Sequence, residues 1–109
     1  MDTGTVSEGK TMAIISYITF IGTLIAYIMN RDKRNSFASF HIRQAIGLLL
    51  LGFAINYLSR YLEFGWAGSI LSAGVIVLWI IGLLGAIQGE EKKVPLLGDQ
   101  FQEWFKSIG

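Results

Sequence analysis

The sequence has no cysteine, a single proline and a single histidine, and its long apolar stretches carry no charge. Without cysteine there is no disulfide framework, no thiolate nucleophile and no cysteine-rich metal site. His41 has no companion ligand at helical spacing, so no metal motif and no cofactor site is expected. Catalytic hydrolysis needs a nucleophile with its base and orienter, or paired carboxylates. The apolar stretches hold no Asp, Glu, Lys or Cys, and the expectation is a protein that is not an enzyme. A net charge of +1, with no basic stripe interleaved with stacking aromatics, excludes nucleic acid as a partner.

What is present is hydrocarbon. Hydrophobic residues make up 52% of the 109 and charged residues only 16%, clumped between apolar blocks. A soluble domain of this size would alternate apolar and polar positions, so the composition is that of an integral membrane protein. The expected fold class is all-α: one membrane domain, 1–109, folded as an antiparallel bundle of three membrane-spanning helices. Residues 1–10 read as a mobile tail. Only Lys10 precedes the first apolar run, which does not make a convincing cleavable signal.

The first span is expected over 12–29, long enough to cross ~27 Å of bilayer. Ser16, Thr19, Thr23 and Ala26 follow three- and four-residue steps on one face, and Gly22 with Ala26 adds a small-xxx-small pair. The second element, 36–60, is a basic, aromatic entry (Phe37, Phe40, His41, Arg43, Gln44) that becomes an apolar run from Ala45. Arg43 and Arg60 bracket this span, and each can snorkel to an interface. Gly52 and Asn56 share one face, and the Asn56 amide is expected to bond a neighbouring helix. His41 reads either as an interfacial residue bonding a loop carbonyl, or as a group that titrates near neutral pH or meets lipid phosphate. The third span, 66–89, carries Gly68, Ser72, Val75, Trp79, Gly82, Ala86 and Gly89 on one face, and Gly85 with Gly89 forms a close-approach pair. Trp79 is expected to face protein, because its indole N–H has no water to bond at that depth.

After Pro95 and Gly98, Asp99 and Gln102 resemble a capping box. Phe101, Trp104, Phe105 and Ile108 then recur at helical spacing. An amphipathic helix over 99–108 is expected to lie along the membrane interface, with the end of the bundle or a partner protein as the alternatives. Basic residues at Arg31, Lys33, Arg34 and Arg43 in the first loop, and at Lys92, Lys93 and Lys106 in the tail, outnumber Lys10 and Arg60. With three spans this places the N-terminus outside and the C-terminus in the cytoplasm. Contact with lipid, anionic head groups among them, or with a partner protein is the expected role of Arg31, Lys33, Arg34, Phe40, His41, Arg43, Phe101, Trp104 and Phe105. Helix packing is the expected role of Gly22, Thr23, Gly52, Asn56, Ser72, Trp79, Gly82, Gly85 and Gly89.

The segment Phe37-Ala-Ser-Phe40-His41-Ile-Arg43-Gln44-Ala45 ahead of an apolar span, with the tail Pro95-Leu-Leu-Gly98-Asp-Gln-Phe101, resembles a Tic-type import component family. These are bacterial domain-of-unknown-function membrane proteins similar to the small channel-type subunit of the chloroplast inner-envelope Tic translocon. The resemblance implies a bacterial inner-membrane protein linked to translocation. Plant members are described with four spans against three expected here. The leading functional expectation is a non-enzymatic accessory or scaffold subunit whose partner is another membrane protein or a second copy. The alternative is an oligomeric small-solute or ion transporter or channel protomer, its pore lined by Ser16, Thr19, Thr23, Asn56 and Ser72.

Overall fold

A computed structural model describes residues 3–108, folded as five helices: α1 (Thr3–Ile18), α2 (Phe20–Lys33), α3 (Ser36–Tyr61), α4 (Trp66–Gln88) and α5 (Gly98–Trp104). Among them, α3 and α4 are long and apolar enough to cross a membrane. They form an antiparallel pair joined by the short turn at 62–65, where Gly65 takes a positive φ of 61° that an L side chain would resist.

The expected first span is not one helix. Thr19 adopts extended backbone (φ −150°, ψ 171°), which ends α1, and its side chain accepts a hydrogen bond from the Gly22 amide at 3.0 Å, which starts α2. A threonine here caps one of the donors a new helix leaves open. The chain then doubles back. Thr23 Oγ1 donates to the Ser16 carbonyl at 2.7 Å, Met12 packs with Ala26, and Asn35 Nδ2 donates to the Thr5 carbonyl at 2.8 Å. The α1–α2 unit is therefore a helical hairpin whose two open ends lie beside the start of α3. A side chain at Gly22 would collide with the Ile15 carbonyl, so the expected small face serves to join the arms of one hairpin.

This changes the topology. The beginning of α1, the 34–35 turn and the tail all sit at one end of the molecule, and the 62–65 turn sits at the other. In place of the expected three-span bundle, the described residues hold two helices long and apolar enough to cross a membrane and a helical hairpin whose two open ends lie at the same end of the molecule. The expected tail over 1–10 is helical from Thr3 onwards, held where Gly9 packs against Asn35; residues 1 and 2 lie outside the described residues.

Both core clusters lie at this end. One joins Ala13, Tyr17, Phe37, Ala45, Leu48, Ala86, Val94 and Phe101; the other joins Met12, Ala26, Ala38 and Ile42. No residue of α3 beyond Leu48 is fully buried. On α4, Gly82 and Ala86 are buried as the shared face requires, but Ser72 and Trp79 are exposed, because the hairpin does not extend far enough to cover them.

The last helix is shorter than expected, Gly98–Trp104, and it docks on the bundle. Gly47 leaves the space that the Phe101 ring fills, and Gln102 Nε2 donates to the Phe40 carbonyl at 2.8 Å. Asp99 makes no cap; it pairs with Lys93 at 2.7 Å. Of the expected interfacial aromatic face, Phe101 points inward and Trp104 outward, so the face is divided between protein and surroundings.

Candidate functional site

The most polar part of the interior lies where α1, α3 and the segment after α4 meet. Asn35 caps α3 by accepting from the Ala38 amide at 3.0 Å, which fixes the register of the Phe37–Ala45 entry. That register turns His41 and Gln44, both fully buried, towards Tyr17 and residues 90–94. His41 Nε2 lies 2.8 Å from the Glu90 carbonyl, which can only accept, so this nitrogen donates. Nδ1 then accepts from the Tyr17 hydroxyl at 2.7 Å. Gln44 Nε2 donates to the Tyr17 hydroxyl at 2.9 Å and to the Lys92 carbonyl at 3.1 Å, while its Oε1 accepts from the Val94 amide at 2.9 Å. The neutral imidazole satisfies every donor in this chain of bonds.

Around it, Phe37 and Phe40 meet the His41 ring edge-on at 4.8 and 4.9 Å between centroids. Gly82 and Gly85 supply the close approach: a Cβ at Gly82 would stand 2.9 Å from the Tyr17 ring, and one at Gly85 2.8 Å from Lys92. A second knot lies next to it, where Asn30 Nδ2 donates to Ser39 Oγ at 2.9 Å and Asn30 Oδ1 accepts from the Asn35 amide at 2.9 Å. These bonds tie three separate stretches of backbone to α3. Their chemistry is that of a clasp.

Of the expected head-group contacts, Phe40, His41 and Phe101 are interior, and Phe105 is partly buried against the core. Arg43 is engaged with the tail: Nε donates to the Ile108 carbonyl at 2.8 Å and Nη2 to that of Lys106 at 3.0 Å. Arg31, Lys33, Arg34 and Trp104 remain exposed at the same end. Tyr17, Asn30 and Asn35 are functional positions that the sequence pattern does not mark. Their signal is modest: a tyrosine inside an apolar run, and an asparagine on each side of a basic turn.

A second concave feature of about 310 Å³ lies under the hairpin tip. It is lined mainly by apolar groups of Phe20, Leu48, Phe53, Val75 and Ile76, and Asn56 and Trp79 face it without a hydrogen bond among the described residues. It gathers four of the five expected pore residues, but the three hydroxyls among them are already used. Ser16 Oγ donates to the Ala13 carbonyl, Thr23 Oγ1 to that of Ser16, and Thr19 Oγ1 accepts from Gly22. Ser72 lies outside it, so the groove does not support a transport path.

Residues 8–101 match the model of the MamF/MmsF family, described as the magnetosome magnetite crystal formation protein family. The chain belongs to the MamF/MmsF family. This overturns the Tic-type resemblance, and with it the implied link to protein translocation. The Phe-His-x-x-Gln entry that carried the resemblance is the clasp itself, and it reports packing. Two relatives come from Methanocaldococcus jannaschii. UPF0132 membrane protein MJ1527 is 30% identical over 98 residues, covering 87% of this chain and 69% of the relative. UPF0132 membrane protein MJ1443 is 28% identical over 98 residues, covering 89% and 84%. No solved structure matches. The two apolar helices and these membrane-protein relatives agree: this MamF/MmsF-family chain is a small membrane protein.

Proposed function

We propose that this protein is a non-enzymatic accessory subunit of a membrane assembly, and that the groove under its hairpin tip receives a transmembrane helix of another membrane protein. The observation that carries this is Asn56. It is an exposed residue on the lining of an apolar concavity within the apolar length of α3, and its amide has no partner among the described residues, beside the unbonded indole of Trp79. A bilayer offers little to such a group, whereas a helix carrying a hydroxyl or amide satisfies it. The polar groups of the clasp support the same reading, since each is spent on holding the fold. By its family, the assembly is one that acts at a membrane where mineral is formed. The Methanocaldococcus relatives are named only as membrane proteins, which fits the same general role.

The hairpin also revises the orientation. Lys10 joins Arg31, Lys33, Arg34, Arg43, Lys92, Lys93 and Lys106 at one end, against Arg60 at the other. The positive-inside rule then favours that end, with α1 and the tail, in the cytoplasm.

Native mass spectrometry of the protein released from its own membrane tests the proposal. The expected result is a stoichiometric companion protein that is lost in Asn56→Leu. A bare monomer, or a companion unaffected by the substitution, overturns it.

A further inference from the structure

The two ends of the molecule differ in width. Asn30 at the base of the hairpin bonds Ser39, and Phe20 at its tip meets Phe53 at 6.4 Å between ring centroids. Those two contacts are ~21 Å apart along α3, whereas Ser39 to Tyr61 covers ~33 Å. Four helices therefore stand side by side over the first part of the bilayer, and α3 and α4 continue alone beyond the tip. At ~10 Å per helix diameter, the hairpin adds about 150 Å² of cross-section to one leaflet.

The hairpin presents Ile18, Phe20, Ile21, Leu24, Ile25, Ile28 and Met29 outward. At the narrow end, α4 exposes Trp66, Ile70 and Leu71 together with the small residues Ser69, Ser72, Ala73 and Gly74, and a Cβ added at Gly74 would meet nothing within 4 Å, so the difference in width rests on the number of helices. The clasp and the docked α5 brace the wide end, because Tyr17, His41, Gln44 and Phe101 lock the hairpin and tail to α3.

We infer that the protein is a wedge that prefers curved membrane, settling where the leaflet holding its hairpin and termini is the convex one. A rigid inclusion that is wider in one leaflet spreads the lipids on that side, and bending the bilayer towards it relieves the mismatch. The wedge is a property of the protein alone, because a helix seated in the groove beside Phe53, Asn56 and Ile76 would widen the narrow half.

The test uses the full chain with Gln100→Cys, labelled with a fluorophore and reconstituted in both orientations into giant phosphatidylcholine vesicles. A membrane tether is pulled from each vesicle, and an external quencher separates molecules with termini outside from those with termini inside. The expected result is a severalfold higher density on the tether than on the parent vesicle for the termini-outside molecules, and depletion for the others. Ser69→Leu, Ser72→Leu, Ala73→Leu and Gly74→Leu together fill the narrow end, and should bring both ratios towards one. Equal densities on tether and vesicle, or the same enrichment for both orientations, would overturn the inference. So would an enrichment untouched by the filled variant when its helix content equals that of the parent protein.

Discussion

Gln44→Met is the perturbation that weighs the clasp most cleanly. Methionine has nearly the volume of glutamine, so no cavity is opened and the loss is of hydrogen bonds alone. Gln44 is fully buried and holds the segment after α4 through two backbone groups, the Val94 amide at 2.9 Å and the Lys92 carbonyl at 3.1 Å. Val94 is itself buried, so its amide loses its partner with no water to replace it. A buried donor left in this state costs about 1–3 kcal/mol. Lys92 is exposed, and its carbonyl recovers part of its loss from solvent. The Tyr17 hydroxyl keeps His41 as its acceptor. The sum is about 2–4 kcal/mol, borne by the 90–94 segment ahead of the rest of the fold. In nanodiscs, hydrogen exchange at the Val94 amide should accelerate about 30- to 1,000-fold, and the unfolding midpoint should fall. Amides of α4 near Ile70, remote from the clasp, should keep their protection. Wild-type exchange at Val94 with an unchanged midpoint would refute the claim that this network holds the tail.

Phe101→Ala should release α5 at a cost of about 3–5 kcal/mol, whereas Trp104→Ala, at an exposed site, should stay within about 0.5 kcal/mol of the parent. Protease cleavage at Lys106 in vesicles with the tail accessible reads the difference; equal cleavage in the two variants would mean the docking is misplaced. The Lys93–Asp99 pair is exposed, and the neighbouring carboxylate holds the ammonium above its ordinary range. A raised value means its contribution is fully present below the usual lysine value of ~10.4 and is lost as pH rises through the higher folded value. Asp99→Asn should therefore loosen α5 slightly at neutral pH and low salt. Loosening that persists in high salt would contradict a screened surface pair.

Half of this architecture is legible from residues alone. The limits of α3 and α4 follow from apolar length, and the buried face through Gly82 and Ala86 follows from the spacing of small residues. The first apolar run misleads for a definable reason. Its length and composition suit one crossing helix, yet they suit equally two short arms joined at one residue, because mean hydropathy carries no record of direction. Thr19 and Gly22 hold the decisive information, a side-chain cap and a site of close backbone approach, and both types also occur inside crossing helices. Ser16 and Thr23, expected on one face of a single helix, lie on two helices and meet across the turn. The clasp was half-visible. His41 and Gln44 stand out as polar residues entering an apolar run, while their partners lie 24 to 50 residues away and are mostly backbone groups that no sequence motif marks.

The hairpin is the claim on which the topology, the groove and the wedge all depend, and the absence of cysteine makes it directly testable. Single cysteines at Ser7, Glu63 and Gln100, each at an exposed position, are labelled in sealed vesicles with an impermeant thiol reagent. A hairpin that enters and leaves on one side requires Ser7→Cys and Gln100→Cys to react from the same face, and Glu63→Cys from the opposite one. Reaction of Ser7→Cys from the face that labels Glu63→Cys would mean the first apolar run crosses the membrane after all.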